Sequence, residues 1–338
     1  APSRGAEPDR PNIVLIVADD LGYGDVGFAG STQIRTPHLD RLASGGVVFA
    51  QGYVTAPVCS PSRAGLITGR NQVRFGYDNN LVEESPGFDP EYAGLPAGER
   101  TLADRLRDLD YVTGLIGKWH LGSRPQFHPL SRGFAEFWGF LGGSHNYFPV
   151  EGSEKALDVP MECSYGPSRP ITYLTDDIGE ESVRFVRRHA GRPFFLYASF
   201  NAPHTPMQAR EEDLRLYSHV ADKRRRTYCA MVHRLDVTVG RILDALDEAG
   251  LAGRTLVTFI SDNGGPVNSN ASLNAPLNGQ KGILLEGGVR VPFVMRWPGT
   301  LPAGSAFPFQ VSTLDFVPTY VSAAGGTLAA ADELDGVD

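Results

Sequence analysis

Ile13-Val14-Leu15-Ile16-Val17-Ala18 runs without a polar side chain directly into Asp19-Asp20. A run this short, apolar throughout and rich in β-branched residues, is the pattern of a strand buried on both faces, as in a parallel sheet covered by helices. Working outward, Thr36-Pro37 supplies an N-cap and a proline at the first helical position, opening a helix that closes near Gly45-Gly46. Thr101 is placed to cap a second helix with Leu102, Leu106 and Leu109 on one side, and that helix feeds a strand from Val112 to Ile116. The segment from about Pro149 to Pro170 is rich in Gly, Pro and Ser and reads as a long loop. Another buried strand spans Phe194 to Phe200. Beyond it, Tyr228, Met231, Val232, Leu235, Val239, Ile242, Leu243 and Leu246 recur at three and four residues, marking the longest helix, with Gly250 where its C-terminal cap belongs. Thr255 to Ile260 gives one more strand. Strands alternating with helices imply an α/β fold whose sheet is mostly parallel and sandwiched between helices.

In such folds ligands bind beyond the carboxyl ends of the strands. Four strands here end on polar residues: Asp19-Asp20, Lys118-Trp119-His120, the turn Asn201-Ala202-Pro203-His204, and Asp262-Asn263. One such end is an ordinary loop, but four on one sheet edge point to a site. Asp19, Asp20, Asp262 and Asn263 offer hard oxygen ligands, with no histidine or thiolate beside them in the sequence, and suit Ca²⁺ or Mg²⁺. Adjacent aspartates also cap helices or line turns, so the metal reading depends on the two strand ends meeting. Lys118, His120, His204 and Lys281 form a complementary cationic set. Gly279 and Gly282 flank Lys281 closely, the mark of a tight turn that aims it. Together these groups suit a tetrahedral oxyanion, so the implied substrate is a sulfate or phosphate ester.

Bulk properties narrow the options further. The 338 residues suffice for one large α/β domain or two medium ones, and 41% of them are hydrophobic, enough for a sizeable core. A net charge of −8 argues against a nucleic-acid-binding surface. No run approaches the eighteen or so apolar residues needed to span a bilayer. Cys59, Cys163 and Cys229 are too few for a disulfide scaffold, and no CxxC pair suggests zinc. The ordinary fate of such a cysteine is a buried free thiol. The sequon Asn270-Ala271-Ser272 is too common by chance to identify a host.

Cys59 stands apart through its neighbours, Pro57-Val58-Cys59-Ser60-Pro61-Ser62-Arg63-Ala64-Gly65-Leu66-Ile67-Thr68-Gly69-Arg70. Cys-x-Pro-Ser-Arg followed by Ala-x-Leu-x-Thr-Gly-Arg is similar to the signature of the type I sulfatases. The likeness extends in order through Asp19-Asp20 with Gly22-Tyr23-Gly24-Asp25, Gly117 to Gly122, Ala202-Pro203-His204, Ser261 to Gly264 and Gly288 to Pro292. The resemblance implies an alkaline-phosphatase-like fold. It also implies a smaller C-terminal antiparallel subdomain beyond Asp338, so that residues 1–338 would form the catalytic domain with that subdomain truncated.

By the same resemblance, Cys59 is oxidised to formylglycine by a maturation enzyme. The aldehyde hydrates, one hydroxyl attacks sulfur with Asp262 as base, and the second releases sulfate. Asp19, Asp20, residue 59, Asp262 and Asn263 would ligate one divalent cation, Ca²⁺ before Mg²⁺. Arg63 and Lys118 would orient the nucleophile and the sulfate, and His120 would hydrogen-bond the diol. His204 and Lys281 would bind sulfate, one of them protonating the leaving oxygen. Ser62-Arg63-Ala64 onward reads as a helix start, which places residue 59 near a positive helix terminus worth about 0.3–1 kcal/mol to an anion. The stretches Arg124 to Pro129, Phe137 to Phe140 and Ser144 to Tyr147 resemble those of carbohydrate sulfatases, which makes a sulfated sugar of the galactose or N-acetylgalactosamine type the expected substrate and His145 a candidate contact. The resemblance implies export to the periplasm, cell exterior or lysosome, as is usual in the family, and the polar opening Ala1-Pro2-Ser3-Arg4 resembles a mature terminus whose signal peptide has been removed. A formylglycine-dependent phosphonate or phosphate ester hydrolase and an unoxidised glycan-binding homologue remain open at this point.

Overall fold

Along the strand β1 (Asn12–Ala18) every residue is buried, and alternate side chains enter different cores. Val14, Ile16 and Ala18 join one hydrophobic cluster; Ile13, Leu15 and Val17 join a second. An unbroken apolar run therefore reflects two covered faces, with each buried Val, Leu or Ile contributing about 1.5–3 kcal/mol. The computed structural model describes residues 10–80, 89, 91–150 and 161–338.

The other strands are β2 (Val47–Tyr53), β3 (Val112–Lys118), β4 (Glu136–Phe140), β5 (Glu162–Cys163), β6 (Phe194–Ser199), β7 (Thr255–Ser261), β8 (Phe293–Arg296) and β9 (Ser305–Ser312). They form one sheet in the order β5-β4-β3-β6-β1-β7-β8-β2-β9. Neighbours from β4 through β7 are parallel, β5 and β8 run against the strands beside them, and β2 and β9 are parallel to each other. The expected mixed, mostly parallel sheet is present, and β3, β6, β1 and β7 lie side by side with their carboxyl ends on one edge.

The helices are α1 (Pro37–Ser44), α2 (Cys59–Thr68), α3 (Leu102–Asp108), α4 (Leu174–Arg188), α5 (Glu211–Leu216), α6 (Lys223–Glu248), α7 (Val267–Asn270), α8 (Glu286–Val289) and α9 (Phe316–Ala323). Leu39 of α1, Phe185 of α4 and Val239 of α6 fill one core, while Ile67 of α2, Leu106 of α3 and Tyr320 of α9 fill the other. The sheet is thus sandwiched as expected.

Several local readings sharpen. Thr101 does cap α3, in a reciprocal capping box with Asp104. Gly250 adopts φ +66° just past the last turn of α6. Thr36 precedes α1, but its hydroxyl takes the Gly27 N–H at 2.7 Å and donates to Asp40 Oδ1 at 3.3 Å, and it caps no backbone N–H of its own helix. The α1 N–H groups of His38 and Leu39 go instead to Asp236 of α6, at 3.0 and 2.8 Å. The helix read as starting at Ser62 begins three residues earlier at Cys59, because Pro61 falls in the first turn, where no intrahelical N–H is needed. The segment read as a loop near 149–170 contains β5. Its residues 151–160, like Ala1-Pro2-Ser3-Arg4, lie outside the described residues.

Candidate active site

The parallel ladder carries its register past the strand ends. Asp19 donates its N–H to Ala202 O at 3.0 Å, and Asp262 donates to Ala18 O at 3.0 Å. Three strand ends are thereby sewn together, and Asp19, Asp20, Asp262 and Asn263 converge with at most 1% exposure. Asp20 takes a left-handed φ of +65°. Its N–H meets Asp262 Oδ1 at 3.2 Å, and its Oδ1 accepts from Asn263 Nδ2 at 2.7 Å.

Three cations balance the three carboxylates. Lys118 Nζ lies 2.5 Å from Asp19 Oδ2, both groups fully buried. Arg63, one turn into α2, places Nε and a terminal nitrogen 2.9 and 2.8 Å from Asp262 Oδ2 and donates to Ser199 Oγ at 2.6 Å. Lys281 Nζ is 2.7 Å from Asp20 Oδ1 and 3.1 Å from Cys59 Sγ. Its turn closes through Gly279 at φ +96° and Gly282 at φ +83°, conformations open to glycine, and Gly282 N–H bonds Pro57 O at 2.8 Å.

Cys59 is the first residue of α2, with 1% exposure and Sγ 3.4 Å from Asp19 Oδ1. Burial, with Asp19 adding to it, pushes its thiol far above the usual range, so it stays protonated. Burial would also raise Asp19, but Lys118, with His204, Arg63 and Lys281, outweighs it and holds the carboxyl well below its ordinary value. Burial and the Asp19 charge push Asp262 up to about 6 against the pull of Arg63 and Lys118. His120 is held neutral by burial and by Lys118 and Arg63.

The two histidines are fixed by their backbones. His120 has φ +60°, and its carbonyl accepts from Ser60 Oγ at 2.6 Å. Because that proton is committed, Tyr77 OH donates to Ser60 Oγ across 2.7 Å. A Cβ on Gly143 would stand 2.6 Å from His120 Nε2, so only glycine leaves that ring its place. His204 Nδ1 lies 2.6 Å from Thr205 O; a carbonyl only accepts, so Nδ1 carries the hydrogen and Nε2 faces Asp20 Oδ2 at 3.5 Å. Tyr147 OH lies 2.8 Å from the carbonyls of both Asn201 and His204.

Every residue read from the sequence as metal-binding or catalytic is joined to this cluster. His145, read as a candidate substrate contact, stands apart: it is buried against Phe140, donates to Asn146 O at 2.7 Å and borders a surface cavity of about 400 Å³ with Arg169 and Ile171. The acidic ligands do have soft-donor company that the sequence kept distant. Ligand atoms of Asp19, Asp20, Cys59 and His204 lie within 4.8 Å of one another. A divalent cation fits the residues present, since Asn263 Oδ1 is buried without a hydrogen-bond partner beside two carboxylates. Ser60, Tyr77, Ser199 and Tyr147 were missed as supports. Ser199 ends a strand and obeys the same strand-end rule, whereas Tyr77 carries no local signal.

Comparisons with known proteins bear on the family. A family model described as Sulfatase matches residues 11–326. N-acetylgalactosamine-6-sulfatase of Canis lupus familiaris is 35% identical over 98% of this chain, and arylsulfatase A of Bos taurus is 36% identical over 98%. The chain spans 65% of the first relative's length and 68% of the second's. The crystal structure of Ps i-CgsB superposes with a TM-score of 0.91 at 42% identity, covering 97% of this chain and 75% of that one. A second crystal structure of that protein holds k-i-k-neocarrahexaose. With 316 consecutive residues matched out of 338, the chain belongs to the sulfatase family.

Proposed function

We propose that the protein hydrolyses the sulfate ester of a sulfated carbohydrate, with residue 59 acting as formylglycine. The observation that carries this reading is the seat of Cys59. It opens α2 in a dry cluster between Asp19 and Lys281, with a thiol too basic to serve as the nucleophile itself. Oxidised to formylglycine and hydrated, residue 59 supplies one hydroxyl for attack on sulfur and a second whose deprotonation lets sulfate leave and the aldehyde return. Serine in that place would be left as a stable ester.

Charge balance supports an anionic substrate. Asp19, Asp20 and Asp262 are matched by Arg63, Lys118 and Lys281, so a divalent cation leaves a positive site. Asp19, Asp20, Asp262, Asn263 and residue 59 are the proposed ligands of one such ion, Ca²⁺ in preference to Mg²⁺, which would add Lewis-acid polarisation. Asp262, tuned upward, is the proposed base at residue 59. Lys118 and Arg63, wholly buried, hold the cluster's geometry. Lys281 and His204 keep 16% and 17% of their side-chain surface exposed, which puts them at the mouth, where they bind sulfate and one of them protonates the leaving oxygen. His120 supports the diol.

Residues 1–338 are read as the family's catalytic domain. The name of the first relative, N-acetylgalactosamine-6-sulfatase, supports a galactose or N-acetylgalactosamine type sugar. An exported location completes the reading, together with a maturation enzyme that oxidises Cys59. No helix of the described residues is long and apolar enough to cross a membrane. The test is mass spectrometry of the peptide containing residue 59, from protein made with a formylglycine-generating enzyme, alongside turnover of aryl sulfate, phosphate and phosphonate. Unmodified Cys59, or a clear phosphoryl preference, overturns the proposal.

A further inference from the structure

The sequon Asn270-Ala271-Ser272 is not a surface loop in this fold. Asn270 ends α7 with no exposed surface, and Ser272 is equally buried. Asn270 Oδ1 accepts the Ser272 N–H at 2.9 Å, a local turn that fixes the amide's orientation. Its Nδ2 is then aimed away from the turn and donates to the carbonyl of Asp20 at 3.2 Å.

That contact falls on a demanding residue. Asp20 sits at φ +65°, a conformation that strains a non-glycine residue and persists only where its surroundings over-determine it. Its amide is held by Asp262 and its carboxylate by Asn263 and Lys281, so Asn270 grips the one remaining polar group, the carbonyl. The flanking chain is zipped to the same loop. Leu273 N–H reaches Asp25 Oδ2 at 2.7 Å, Gly24 N–H reaches Leu273 O at 2.9 Å, and Arg225 donates to Ala271 O at 3.0 Å. Ala271 itself takes φ +61° to make the turn.

We propose that Asn270 is a positioning residue that locks Asp20 in its left-handed conformation and so sets the direction of its carboxylate into the cation and sulfate site. The inference rests on the cation reading given above. It carries a corollary for the sequon: Nδ2 is already spent on Asp20 and has no room for a sugar, so natively folded protein bears no glycan at Asn270.

The experiment compares wild type, Asn270→Asp, Asn270→Ser and Ser272→Ala. Asn270→Asp is isosteric and keeps the turn but loses the donor. Asn270→Ser is uncharged and too short to reach. Ser272→Ala destroys the sequon yet keeps the backbone N–H, and Ser272 Oγ has no hydrogen-bond partner to lose. Calcium binding by titration calorimetry should weaken about 10- to 100-fold in both Asn270 variants under conditions where they remain folded, and stay at the wild-type value in Ser272→Ala. Crystal structures should show Asp20 leaving its positive φ when Asn270 is changed. Wild type that binds neither Ca²⁺ nor Mg²⁺ sinks the cation reading alone, because the Asp20 conformation still decides the role of Asn270. Unchanged Asp20 geometry in Asn270→Asp and Asn270→Ser overturns the proposal, as does a folded, cation-binding fraction glycosylated at Asn270 after expression in a glycosylating host.

Discussion

Replacing Lys118 with methionine removes a charge from the driest part of the site. Its ammonium stands 2.5 Å from Asp19, and neither side chain has any exposure. At an effective dielectric of about 20, two unit charges that close attract by about 7 kcal/mol, much of which offsets the desolvation of burying both. Leaving Asp19 buried and unpaired should therefore cost about 3–5 kcal/mol. Arg63, 4.0 Å from the same oxygen, limits the loss and places the expectation near the lower figure. Changing Asp19 to asparagine in the same chain removes the stranded charge and leaves two carboxylates facing two cations. The double variant should then recover part of the loss, with a coupling of about 2–3 kcal/mol. Equilibrium urea unfolding of the four proteins, run with chelator so that no cation substitutes for the lysine, gives the cycle. A coupling within about 0.5 kcal/mol of zero refutes the claim that these two charges sustain each other.

Three further outcomes are expected. Tyr77→Phe removes the donor that orients Ser60 beneath the His120 carbonyl, so kcat for sulfate ester turnover should fall about tenfold with KM nearly constant, after normalising for oxidised residue 59; Ser60→Thr should retain activity. Asp236 is pushed by burial up to about 7, above its unfolded value of 3.8, so its contribution is fully present below pH 3.8 and is lost as pH rises through 7. Asp236→Asn should thus flatten the decline in stability between about pH 4 and 7, by at most about 4 kcal/mol in urea unfolding, and an unchanged slope counts against the shift. Calcium at about a hundred times its Kd should stabilise the wild type by about 2.7 kcal/mol, reversibly by chelation, and no shift with either Ca²⁺ or Mg²⁺ excludes a tight site.

The chain announces its architecture because the central strand is apolar on both faces and each strand end changes abruptly to charge. Asp19, Lys118 and Asp262 could be gathered from their positions at strand ends alone, since a parallel sheet aligns those ends. Cys59 needed the longer motif from Pro57 to Arg70, because its thiol differs from those of Cys163 and Cys229 only in its neighbours. What stayed hidden are contacts between residues far apart in sequence. Asp236 caps a helix 198 residues away, and Asn270 supports Asp20 across 250. Neither leaves a periodic or local trace. Thr36 looked sufficient as a cap because a sequence does not reveal that its hydroxyl faces Gly27.

The pairing of β1 with β6 and β7 also has a consequence in time. β1 leaves the ribosome well before its two neighbours, which begin at residues 194 and 255. At typical synthesis rates of about 5–20 residues per second, its apolar run waits roughly 10–50 s before partners are present on both edges. The segment that organises the finished sheet is therefore the one most in need of shielding while the chain is being made.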